Sequence, residues 1–136
     1  MKHLSLIFAS LLAGISAIAQ TPPASLSVRE AHAATKAGQV ILVDIRRPDE
    51  WADTGVPEGA IRLDMTSGAF EAKLATLRAE NPGKPIALIC RTGSRTRQVQ
   101  EALGRRTWTG IIDVRGGMLG DGRNKGWLDE GLPLAK

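Results

Sequence analysis

Three stretches of the chain are apolar with almost no interruption. Val40 to Ile45 reads VILVDI, Pro85 to Cys90 reads PIALIC, and Gly110 to Val114 reads GIIDV. A run without polar alternation predicts a strand covered on both faces, as in a parallel sheet. Ile61-Arg62-Leu63 predicts a further short strand. Between these runs the apolar positions recur at helical spacing. Val28–Lys36 predicts a helix stopped by Gly38. Pro48 to Ala52 predicts a short helix, with proline where a first turn tolerates it. Ser67 to Ala79 predicts an amphipathic helix with Phe70, Leu74 and Leu77 on one face, ended by Asn81-Pro82-Gly83. Ser94 to Leu103 predicts a helix stopped by Gly104. Gly55 to Gly59 predicts a turn, and the tail beyond Val114 is rich in glycine. Strands alternating with helices predict an α/β domain.

The first residues follow a different pattern. Lys2 gives a positive start, Leu4 to Ile15 are largely apolar, and Ala17-Ile18-Ala19 places small residues where a signal peptidase reads. These are the three parts of a secretory signal peptide, predicted over residues 1–19, with the domain at 20–136. The apolar stretch is shorter than the roughly 20 residues a spanning helix needs. The expectation is an exported, periplasmic protein with no stable membrane insertion after cleavage.

Composition narrows the function. A chain of 136 residues suits one domain. One cysteine excludes an intramolecular disulfide, and two histidines leave little from which to build a histidine–cysteine metal site. No metal or other cofactor is expected. Tyrosine is absent, which argues against stacking platforms for single-stranded nucleic acid. The net charge is +4, and removal of the signal takes Lys2 with it. The basic residues are scattered and form no track for a phosphate backbone, so no nucleic acid is expected. They favour small anions instead.

The lone cysteine lies at the carboxyl end of a predicted strand, where open α/β sheets bind ligands. Arg91-Thr92-Gly93-Ser94-Arg95-Thr96 follow it and lead into a helix. Gly93 lets the backbone turn and approach a ligand. Successive amides can converge into an anion nest, and the helix presents its positive end. Arg91 and Arg95 add fixed charge. Each feature favours thiolate over thiol at Cys90. His32, the only histidine after the signal, lies far back on the first predicted helix and reads as a surface residue rather than a base for Cys90.

At this point the sequence resembles a single-domain rhodanese, a sulfurtransferase. The loop from Cys90 to Thr96 is similar to that family's signature of Cys, Arg, any, Gly, any, Arg, Ser or Thr. Val43 to Trp51 resembles its aspartate–apolar–arginine strand and acidic helix turn. Gly55 to Ile61 resembles the turn before its third strand. Gly116-Gly117, Gly126-Trp127 and Gly131-Leu132-Pro133 resemble its C-terminal pattern. The resemblance implies a mainly parallel sheet of about five strands flanked by helices. It implies that Cys90 takes a sulfane sulfur from a thiosulfate-like anion as a covalent persulfide. The sulfur then passes to cyanide or a thiol, in two half-steps. The loop amides would cradle the anion. Asp44 and Arg46 would pin the loop or touch substrate. The implied partners are small donor anions and thiol acceptors, and a monomer is expected. The chain departs from the two-domain thiosulfate sulfurtransferases at Thr92, where they carry a lysine implicated in holding thiosulfate. It also lacks the histidine that many family members carry near Gly55-Val56-Pro57.

Other readings compete. A module that binds a sulfur carrier or senses oxidants without turnover would use the same cysteine. Phosphatase or arsenate reductase chemistry would use a similar loop, but four residues separate Cys90 from Arg95, where cysteine phosphatases have five or more. Asp121 to Gly126 resembles the start of a calcium loop, yet Arg123 and Lys125 stand at ligand positions. Gly117 to Gly122 lacks the ending of a phosphate loop. Trp51, Trp108 and Trp127 read as core or rim packing, with Trp127 also a candidate wall for the site.

Overall fold

The structure, a computed structural model, describes residues 21–136. The segment predicted as a signal peptide lies outside the described residues. Eleven elements follow in chain order. They are β1 (Ser25–Leu26), α1 (Val28–Lys36), β2 (Ile41–Asp44), α2 (Pro48–Thr54), β3 (Val56–Pro57), β4 (Ile61–Arg62), α3 (Phe70–Glu80), β5 (Ile86–Ile89), α4 (Ser94–Arg105), β6 (Ile111–Val114) and β7 (Leu134–Ala135).

Five strands form one sheet in the order β1-β6-β5-β2-β4, and every pairing in it is parallel. Strand β5 is central, between β6 and β2. The three apolar runs are therefore the three inner strands, and alternate residues divide between the two faces. Leu42, Ala87, Ile89, Ile112 and Val114 pack with Val28 and Ala31 of α1. Val43, Ile86, Leu88 and Ile111 pack with Leu74 of α3 and with Val99 and Leu103 of α4. Cys90 belongs to this second face. The sheet is thus covered on both sides, which is what its continuous apolar strands require.

Helix α1 begins with a reciprocal cap. Ser27 Oγ accepts from the Glu30 amide at 3.1 Å, and Glu30 Oε1 accepts from the Ser27 amide at 2.8 Å. Helix α3 starts at Phe70, three residues later than the periodicity predicts, because Ser67 spends its hydroxyl on the Ala69 amide in a turn. Helix α4 runs through Gly104 to Arg105, one turn-end beyond the predicted stop. The Gly55–Gly59 turn contains β3, which pairs antiparallel with β7. Among the described residues no helix is long and apolar enough to cross a membrane.

Candidate active site

Cys90 follows β5 directly, at the carboxyl edge of the central strand, and is 1% exposed. The Gly93 amide donates to its Sγ at 3.1 Å. Gly93 has φ +101°, a backbone geometry that side chains disfavour, and it is the residue that caps α4. The loop therefore bends back over the sulfur and delivers the helix N-terminus to it. Thr96 Oγ1 lies 3.6 Å from Sγ on the first turn of that helix. The same hydroxyl lies 3.0 Å from the Gly93 carbonyl oxygen and 2.5 Å from Asp113 Oδ1. Arg91 and Ser94 are exposed, and Thr92 is half-buried.

Two further contacts hold the loop. Arg95 makes a fork-to-fork ion pair with Glu50 of α2, Nη2 to Oε1 at 2.6 Å and Nη1 to Oε2 at 2.8 Å. Hydrogen bonding from Arg95 holds the Glu50 carboxyl down at about 2. Glu50 also accepts the Arg47 amide at 3.0 Å and so closes the first turn of α2. On the other side Gly117 presses against the loop. A Cβ there would stand 2.5 Å from the Cys90 carbonyl oxygen and 2.8 Å from the Arg91 carbonyl carbon. That contact lets the Met118 and Leu119 amides donate to the Cys90 and Arg91 carbonyls, both at 2.9 Å.

A family model described as Rhodanese-like domain matches residues 27–121 of this chain. The chain belongs to that family. A sulfurtransferase of Allochromatium vinosum is 31% identical over 97 residues, covering 70% of this chain and 78% of the relative. The fold matches a rhodanese-related protein of Thermoplasma volcanium with a TM-score of 0.64 at 24% identity, over 83% of this chain and 98% of that one. It matches a polysulfide-sulfur transferase of Wolinella succinogenes, solved as a homodimer, with a TM-score of 0.61 at 28% identity, over 82% and 77% of the two chains. The rhodanese-like domain is thus of a sulfurtransferase family, with the predicted α/β architecture.

Asp44 and Arg46 form a buried ion pair in this rhodanese-like domain, 0% and 2% exposed. Arg46 Nε and Nη2 reach the carboxylate at 3.0 and 2.8 Å. The other donors of Arg46 go to Thr54 Oγ1 at 3.0 Å and the Gly55 carbonyl at 2.9 Å, at the end of α2. The pair therefore anchors α2 to β2, and Glu50 of that helix in turn anchors Arg95. Every polar end of Arg46 is occupied within the fold.

His32 rests edge-on against the Trp127 ring at 5.5 Å. Trp127 is 0% exposed, donates to the Pro133 carbonyl at 2.9 Å, and packs in the core with α1. The Asp121 carboxylate accepts from the Arg123 and Asn124 amides and from the Asn124 side chain. Those bonds, led by the Asn124 side chain, hold it down at about 2. It closes a turn of the tail.

Three residues at the site make contacts that no motif announces. Glu50 reads as an ordinary first-turn acid of α2. Gly117 stands in the Gly116-Gly117 pair of the C-terminal pattern, which does not announce its contact with the Cys90 and Arg91 carbonyls. Asp113 carried a visible signal, since an acid in the apolar run GIIDV needs a buried partner.

Proposed function

We propose that this rhodanese-like domain is a sulfurtransferase that carries sulfur as a persulfide on Cys90. The observation that carries the reading is the Gly93 amide aimed at Sγ at 3.1 Å, at the start of α4. An N–H donor and a helix N-terminus converging beside one sulfur suit the anionic end of a donor.

The Cys90 thiolate attacks the outer sulfur of a thiosulfate-like donor. The new sulfur–sulfur bond forms as the donor's own breaks, and sulfite leaves with that electron pair. A cyanide or thiolate acceptor then attacks the outer sulfur, and Cys90 departs as thiolate. No external oxidant, metal or organic cofactor enters either step. Burial of Cys90 suits the transfer of a single atom, which projects one bond further out than the thiol. Arg91, Thr92, Gly93, Ser94, Arg95 and Thr96 form the donor-binding loop in this reading, with Asp44 and Arg46 in a supporting role. Arg95 carries both forks of its guanidinium on Glu50, which argues against a phosphatase, whose arginine must clamp a phosphate. We place the enzyme outside the cytoplasm, as a monomer, after loss of residues 1–19.

Thiocyanate production from thiosulfate and cyanide by residues 20–136 tests this. Activity in the wild type and none in Cys90→Ser supports it. Equal activity in both overturns it.

A further inference from the structure

The Thr96 hydroxyl has one hydrogen and three acceptors around it. Asp113 Oδ1 lies at 2.5 Å, the Gly93 carbonyl oxygen at 3.0 Å and Cys90 Sγ at 3.6 Å. An ionised carboxylate is the strongest of the neutral and charged acceptors here, and its contact is the shortest. While Asp113 is ionised it takes the hydrogen. Thr96 then turns only lone pairs toward sulfur, so it can accept from a thiol but offers nothing to a thiolate. When Asp113 holds a proton, the acid donates to Thr96 and the hydroxyl hydrogen is freed for Sγ.

The surroundings of Asp113 suit such a variable partner. It lies on β6, the strand beside β5, and is 4% exposed. Burial pushes its carboxyl above the ordinary aspartate range, against the pull of the Thr96 hydrogen bond. The charged groups around it are Arg97 of α4, Arg115 just after β6, and Asp121 of the tail, with Cys90 beyond Thr96. Arg115 spends its guanidinium on Ser25 and Glu30. Among the described residues the carboxylate of Asp113 has one side-chain hydrogen bond, the one to Thr96. The Gly93 carbonyl oxygen, at 3.0 Å, is the other acceptor open to that hydrogen once Asp113 is protonated.

We propose that Asp113 is a positioning residue for the Cys90 sulfur: acting through Thr96, its proton decides whether the hydroxyl donates to sulfur or to carboxylate. The inference rests on Cys90 being the reacting sulfur. It predicts that Cys90 and Asp113 titrate as a coupled pair that carries one negative charge more readily than two.

The thiolate is read by its ultraviolet absorbance against pH, which needs no sulfur transfer. The chain has one cysteine and no tyrosine, so the signal belongs to Cys90. Asp113→Asn keeps the shape and makes the residue a permanent donor to Thr96. Its thiolate signal is expected at lower pH than in the wild type, by about one unit. In a Thr96→Val background the same substitution is expected to lose most of that shift, and Thr96→Ser is expected to keep it. No shift in Asp113→Asn, or an equal shift with and without the hydroxyl, would overturn the proposal. Should Asp113→Asn fail to fold, carbon-13 NMR of the wild-type and Thr96→Val proteins reads the same coupling. A step in the Asp113 carboxyl resonance as the thiolate forms, much reduced in Thr96→Val, supports the relay. Equal steps, or none, overturn it. If Cys90 forms a thiolate yet never gains sulfur, the sulfurtransferase reading fails while this relay still stands or falls on its own curves.

Discussion

Glu50 and Arg95 lie 45 residues apart in sequence and close on each other through two hydrogen bonds of 2.6 and 2.8 Å. The pair clasps α2 to the loop that follows Cys90. Its strength depends on Glu50 being ionised. The carboxyl sits near 2 in the folded chain against an ordinary value of 4.5. A depressed carboxyl stabilises the fold above its unfolded value, and that contribution fades as pH falls from 4.5 toward 2. Glu50→Gln is expected to cost about 1–2 kcal/mol at neutral pH. The difference from wild type, measured by chemical denaturation, is expected to shrink across that acid window. A difference independent of pH would contradict the clasp.

Asp44 and Arg46 are both fully enclosed, so removing one leaves an uncompensated buried charge. Arg46→Met is expected to cost about 3–5 kcal/mol. Adding Asp44→Asn to it is expected to restore part of the loss, because the orphan charge is gone. The denaturation midpoint checks both. Failure of the second change to help would mean that the lost contacts to Thr54 and Gly55 carry the cost instead.

Gly117 is where the tail meets the loop that follows Cys90. An added Cβ would stand 2.5 Å from the Cys90 carbonyl oxygen, which is backbone and cannot swing aside. Gly117→Ala is expected to displace the loop and lower kcat/KM by roughly a hundredfold, as a shift of about 1 Å at reacting atoms can. Gly83 has a similar positive φ, with nothing within 4 Å of such a Cβ. Gly83→Ala is expected to cost only about 1–2 kcal/mol of backbone strain and leave turnover unchanged. Equal losses of activity in the two variants would count against the contact at Gly117.

Asp113 gives a pH dependence of the opposite sign to Glu50. Its folded carboxyl is raised by burial above the ordinary 3.8. The folded chain therefore holds that proton more tightly than the unfolded one. The favourable contribution is complete below 3.8 and is lost as pH rises through the folded value. Asp113→Asn is expected to melt at a higher temperature than wild type near neutral pH, with the gain vanishing as pH approaches 3.8. A gain that persists unchanged into acid would show that charge is not its source.

The sheet was legible because its inner strands are apolar on both faces, a pattern that Val40–Ile45, Pro85–Cys90 and Gly110–Val114 display without ambiguity. Of the two-residue strands, Ile61–Arg62 was legible and the other three were not. Ser25–Leu26, Val56–Pro57 and Leu134–Ala135 are too short to carry a period, and their pairing is set by partners far along the chain. Gly104 misled for a related reason. It lies on an exposed face with nothing within 4 Å of its Cβ position, so the helix tolerates it and continues. At the site, Cys90 and its loop could be read because they are contiguous in sequence. The clasp from Glu50 and the contacts of Asp113 and Gly117 could not, because each exists only once the strands have brought distant segments to the same sheet edge.

The central claim is that Cys90 carries transferable sulfur. Intact mass of residues 20–136 after incubation with thiosulfate alone tests it most directly. The account predicts one added sulfur atom on the wild type, lost again on adding cyanide, and no addition to Cys90→Ser. An unchanged mass for the wild type across thiosulfate, polysulfide and persulfide donors, with Cys90 intact, would contradict it.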